Sequence, residues 1–117
     1  MTNGEMSRSI ARSGNGPAVV FVHGIGGAAR IWEPQVVSFT AAGRRCVAVD
    51  LPGYGARPPV ARMDFEALAS DLEATVTRLG LDRPVLVGHS MGGMVAQVAL
   101  RRRPDGYCAA VLSNTSP

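Results

Sequence analysis

Gly88-His89-Ser90-Met91-Gly92 places a serine between glycines in a G-x-S-x-G pattern. It follows the apolar run Pro84-Val-Leu-Val and precedes an alanine- and valine-rich stretch ending in three arginines. A serine on a sharp turn between strand and helix has its hydroxyl pushed out above the sheet, and flanking glycines let the two elements approach closely. The N-terminus of the following helix adds N–H donors and positive potential, which suits a negative charge developing on an attacked carbonyl oxygen. A second glycine-rich turn, His23-Gly24-Ile25-Gly26-Gly27, ends another apolar run. The two histidines of the sequence, His23 and His89, are the first residues to weigh as a base for Ser90. His89 directly precedes the serine, so its side chain diverges from that of Ser90 across the turn.

One other chemistry competes for the first turn. Gly24-Ile-Gly26-Gly-Ala-Ala29 matches G-x-G-x-x-A after a strand, and Asp50 ends the next strand, the outline of a dinucleotide-binding unit. That unit needs a helix starting at the second glycine, where Pro34 would fall about two turns inside and break it. It also leaves the Ser90 turn unexplained.

The elements that must position these residues alternate. Ala18–His23 and Arg45–Asp50 read as buried strands, as do Pro84–Gly88 and Ala109–Ser113. Residues 6–12 suggest a short edge strand. A helix begins near residue 33, with Pro34 suited to its first turn, and ends before Gly43. Asp64 looks like an N-cap for a helix whose apolar face is Phe65, Leu68, Leu72, Val76 and Leu79, with Glu66, Asp71, Glu73 and Arg78 elsewhere. Met91–Arg103 is a third helix, stopped by Pro104. The order βαβαβαβ predicts an α/β fold with a parallel sheet, right-handed crossovers and helices on both faces.

The chain has 117 residues, fitting one domain. Hydrophobic residues make up 46% and charged residues 18%, which excludes a disordered composition. No apolar stretch approaches the roughly 18 residues of a membrane span. The first 17 residues hold no apolar core of a signal peptide, so a cytoplasmic protein is expected. The net charge of +3 comes with arginine as the basic residue throughout. The arginines are scattered except for Arg101–Arg103, which complement a helix C-terminus, so no nucleic-acid partner is expected. Cys46 and Cys108 lack metal-ligand spacing and read as small buried residues. Neither a metal nor a cofactor is implied.

In order, His23-Gly-Ile-Gly-Gly27, Asp50-Leu-Pro-Gly-Tyr-Gly55 and Gly88-His-Ser-Met-Gly-Gly93 resemble the α/β-hydrolase superfamily, over residues 18 to 114. The resemblance implies Ser90 as nucleophile and the backbone N–H groups of Ile25 and Met91 as the oxyanion hole. Gly24, Gly26, Gly27, Gly88, His89 and Gly92 would support them, and His23 would brace the oxyanion loop. Asp50 would mark a structural loop, with Trp32 and Phe39 in packing roles. The family's strand order implies the sequence Arg45–Asp50, Ala18–His23, Pro84–Gly88, Ala109–Ser113 across the sheet. Cys46 and Cys108 would then lie about 14 Å apart, too far for a disulfide. The substrate class implied is a small ester, thioester or lactone, with a lean toward the enol-lactonase and small-ester members. A serine at position 90 excludes the aspartate-nucleophile branch.

The family's order of catalytic residues is Ser, then Asp or Glu, then His. After Ser90 the chain offers Asp105, on the wrong edge of the sheet, and no histidine. Residues 1–117 are therefore expected to be the N-terminal portion of a hydrolase domain, short of the acid, base, lid and later strands, and inactive alone. The alternative is a non-catalytic remnant that binds a partner. The strand 109–113 would present an open edge to a copy of itself or to a complementing partner.

Overall fold

The computed structural model describes residues 16–61 and 63–115, so the strand suggested at residues 6–12 lies outside the described residues. Four strands form one parallel sheet: β1 (Val19–Val22), β2 (Cys46–Val49), β3 (Val85–His89) and β4 (Ala109–Ser113). Their order is β2-β1-β3-β4, as the family resemblance implies. Register pairs Val19 with both Cys46 and Val85, and His89 with Ser113. Strand β1 is wholly buried because a parallel sheet is covered on both faces.

Side chains alternate across the sheet. Val20, Val22, Val47, Val49 and Leu86 face α2 (Phe65–Arg78) and α3 (Met91–Arg102) and form the larger core with Leu68, Leu72, Val95 and Ala99. Val19, Phe21, Cys46 and Ala48 face the opposite way, toward a single turn of 3-10 helix at Ala29–Trp32 and α1 (Glu33–Ala41). Phe21 anchors that side, with its ring 4.9 Å from Trp32 and 5.7 Å from Phe39. Both aromatics therefore pack as expected, although Phe39 is also partly exposed.

The helix boundaries follow local chemistry. Pro34 sits in the first turn of α1, and Gly43 follows it at φ 87°. The helix demanded by a dinucleotide-binding unit at Gly26 is absent, and a loop and the 3-10 turn stand there instead. Asp64 caps α2, its carboxylate accepting from the Ala67 N–H at 2.8 Å.

Three expectations need correction. Phe65, placed on the buried face of α2, stands at its first turn and is exposed. Glu73, read as lying off the apolar face, is buried, with Arg102 reaching across to it from α3. The guanidinium takes both Glu73 oxygens, at 2.6 and 3.3 Å, and Glu66 at 2.9 Å. The arginines at the end of α3 thus tie two helices together as well as meeting a helix terminus. Cys46 is buried as expected, but Cys108 lies before β4 at the sheet margin and is exposed.

Candidate active site

The turn after β3 holds a strained backbone. Ser90 adopts φ 55° and ψ −119°, a region L residues enter only when their surroundings hold them there. Space explains the glycines around it. A Cβ on Gly92 would overlap the carbonyl oxygens of Val22 and His23, and one on Gly88 would come within 2.5 Å of the Gly92 oxygen. Helix α3 therefore starts against the backbone of β1, with its N-terminus at the sheet's C-terminal edge, where α/β folds place ligands.

The loop after β1 reaches the same point. A Cβ on Gly24 would sit 3.1 Å from the Ser90 Cβ and 3.6 Å from the Met91 nitrogen. Gly24 thus lies against the serine turn, and Ile25, next in the loop, is 78% exposed. The loop closes through Gly27 N–H donating to the Gly24 oxygen at 3.0 Å, with Gly26 at φ 79°.

His23 is fully buried and holds this loop in place. The Leu51 N–H donates to its Nε2 at 3.0 Å. Nε2 is therefore an acceptor, and the proton of the neutral ring sits on Nδ1, which donates to the Gly24 carbonyl at 2.9 Å. Burial pushes the imidazole pKa down, against the smaller opposing effects of the Gly24 hydrogen bond and the Asp50 charge. A ring with both nitrogens committed to backbone has none left for Ser90.

Asp50 does more than mark a loop. Its Oδ1 accepts from the Ala29 N–H at 2.6 Å, fixing the far end of the glycine-rich turn. Arg57 donates to the Asp50 carbonyl at 3.0 Å and pairs with both oxygens of Asp71 at 2.7 and 2.9 Å. This fork anchors residues 50–57 to α2. The sequence gives no sign of it, since fourteen positions separate Arg57 from Asp71.

His89 points to the α1 side of the sheet. With Ile31, Trp32, Gln35, Val87 and Ser113 it lines a cavity of about 300 Å³ beside the turn. Among the described residues Trp32 Nε1 is buried without an acceptor. The Ser90 Oγ makes no hydrogen bond among the described residues. Also among them, no three His, Cys, Asp or Glu side chains gather as metal ligands, and no helix is long and apolar enough to cross a membrane.

A four-stranded parallel sheet carrying this strained serine turn, with a glycine-rich loop against it, is the architecture of an α/β hydrolase. The sequence profile of the alpha/beta hydrolase family matches residues 19–115, and the chain belongs to that family. It is 38% identical over 104 residues to BpoC of Mycobacterium tuberculosis, named as a candidate non-heme bromoperoxidase, covering 88% of this chain and 40% of that protein. It is 36% identical over 102 residues to the sn-1-specific diacylglycerol lipase ABHD11 of Mus musculus, covering 86% and 33%. Among solved structures, an esterase from Exiguobacterium antarcticum superposes with a TM-score of 0.81 at 30% identity, over 87% of this chain and 39% of that one. The epoxide hydrolase VrEH1 of Vigna radiata gives 0.80 at 27% identity, over 92% and 39%. The chain thus spans about 40% of the length of the first of these relatives.

Proposed function

We propose that this chain carries the nucleophile and oxyanion hole of a serine hydrolase acting on small esters, thioesters or lactones. The observation that carries the reading is the contact of the Gly24 loop with the strained Ser90 turn. The Ser90 oxygen attacks the substrate carbonyl and gives its proton to a base. The carbonyl oxygen takes up negative charge beside the Ile25 and Met91 N–H groups. Collapse breaks the bond to the alcohol, thiol or ring oxygen, which leaves with that proton, and water then hydrolyses the acyl-Ser90 ester.

Residues 1–117 correspond in this reading to the N-terminal portion of the family domain. Supporting it, the chain matches relatives more than twice its length, and His23, tied to Leu51 and Gly24, is spent on structure. The acid and base are assigned to the family's later segments, and the chain alone is expected to be nearly inactive. Fluorophosphonate treatment of the hydrolytically active protein, followed by peptide mass spectrometry, tests the reading. An adduct on Ser90 that S90A loses, together with activity, is expected; ester hydrolysis that survives in S90A overturns it.

One observation favours a second reading, a partner-binding role without catalysis. Val111 and Leu112 of β4 are 55% and 41% exposed, and no strand pairs with its outer edge among the described residues. Such an edge accepts another strand, from a copy of this chain or from a complementing partner. Sedimentation velocity across a concentration series separates the two: a monomer at every concentration removes the self-association form.

A further inference from the structure

The segment leaving β4 closes over the serine turn. The Ser90 N–H donates to the Ser113 carbonyl at 2.9 Å. The Ser90 carbonyl accepts from Gly93 and Met94 N–H groups at 2.9 and 3.2 Å, as the opening of any helix requires. It accepts a third hydrogen bond from outside the helix, the Thr115 Oγ1–H at 2.9 Å. Asn114, between these partners, has φ 50°, which turns the chain so that the Ser113 carbonyl and the Thr115 hydroxyl meet the same residue. The Thr115 side chain also covers Gly93, where a Cβ would lie 2.6 Å from the Thr115 Cβ.

The Ser90 carbonyl and the Met91 N–H belong to one planar peptide unit and point in opposite directions. A donor that fixes the carbonyl therefore aims the N–H. A hydrogen bond to the carbonyl also polarises the amide and strengthens its N–H as a donor. We propose that Thr115 is a positioning residue for the oxyanion hole: its hydroxyl sets the plane and polarity of the Ser90–Met91 peptide and thereby directs the Met91 N–H. The catalytic consequence rests on the hydrolase reading, whereas the structural claim stands without it.

Two substitutions separate the hydroxyl from its packing. Thr115→Val keeps the shape over Gly93 and loses the donor, while Thr115→Ser keeps the donor and loses the methyl group. Backbone amide spectra and hydrogen exchange are recorded on the protein. In Thr115→Val the Met91 amide proton shifts upfield as its peptide loses the polarising hydrogen bond. The Ser90 amide, whose Ser113 acceptor lies on the segment that Thr115 ties down, exchanges about fivefold faster, the size expected when one hydrogen bond no longer holds that segment. In Thr115→Ser both return to wild-type values. If the valine variant does not fold, Thr115→Ala takes its place against Thr115→Ser. Wild-type spectra in Thr115→Val, or a serine variant that behaves like the valine one, overturn the proposal. A hydrolase assay runs in parallel, where Thr115→Val lowers kcat by about fivefold to tenfold at unchanged KM and Thr115→Ser restores it. The assay uses a protein that carries the family's later segments; absence of hydrolysis in that wild type counts against the hydrolase reading alone, and the amide spectra still decide the role of Thr115.

Discussion

The Leu51 N–H donates to Nε2 of His23, and this contact across 28 residues fixes the imidazole as a neutral ring with its proton on Nδ1. The histidine that opens the glycine-rich loop is thereby a bridge between two loops. Its loss leaves a buried Leu51 N–H and a cavity where the ring stood. His23→Ala is expected to destabilise the protein by about 3 kcal/mol, read from urea unfolding.

The same residue predicts a pH dependence. Burial places the folded-state pKa of His23 below its ordinary value of 6.5. Below pH 6.5 the unfolded chain therefore binds a proton that the folded one refuses, so stability falls as pH drops from 6.5 toward the folded pKa. Above 6.5 both states are neutral and this dependence vanishes. Unfolding midpoints of wild type and His23→Gln between pH 8 and 5 check it: the wild type should lose more stability over that window than the variant.

Ser90 holds a backbone geometry that costs an L residue on the order of 1–3 kcal/mol. Ser90→Gly relieves the strain and is expected to raise stability by about 1 kcal/mol, after the extra flexibility of unfolded glycine is offset. On the proposed reading, the hydrolytically active protein with the later family segments also loses ester hydrolysis on this substitution. A denaturant midpoint below that of the wild type would contradict the strain argument.

Gly92 and Gly26 should respond differently to alanine. A methyl at position 92 has the β1 carbonyls in its path, and Gly92→Ala is expected to cost roughly 3 kcal/mol or more. Position 26 has open space around it and only its φ of 79° to resist a side chain, so Gly26→Ala costs about 1 kcal/mol. Thermal unfolding of the two variants side by side tests the order.

The cysteines give a chemical check on the fold. Cys108 is exposed, whereas Cys46 is buried in β2, and burial pushes its thiol pKa up. DTNB should modify Cys108 promptly in the native protein and reach Cys46 only after unfolding. Prompt release of two equivalents from folded protein would place β2 wrongly in the sheet.

The strands and helix starts are readable in the sequence because their determinants are local. Val19–Val22 and Cys46–Val49 are continuous apolar runs, and Asp64, Pro34 and Gly43 carry their capping and stopping chemistry in their own side chains. The serine turn is equally legible, since close packing at positions 88 and 92 admits only glycine. What the sequence hides is set by partners distant along the chain. Nothing local marks Glu73 as buried until Arg102 is brought across from α3, or shows that Asp50 holds the Ala29 N–H. Thr115 is hidden for the same reason: its role depends on the fold of Asn114 and on a carbonyl 25 residues away.

The strand order also sets a timetable. Strand β1, in the interior of the described sheet, is made before both of its described neighbours, β2 and β3. The Ser90 turn waits longer, because the Ser113 carbonyl and the Thr115 hydroxyl that grip it lie at the far end of the described chain. The Ser113 and Thr115 contacts with Ser90 can form only once β4 has been made, whereas the packing of Gly92 on β1 and of Gly24 on the turn needs no residue beyond the start of α3.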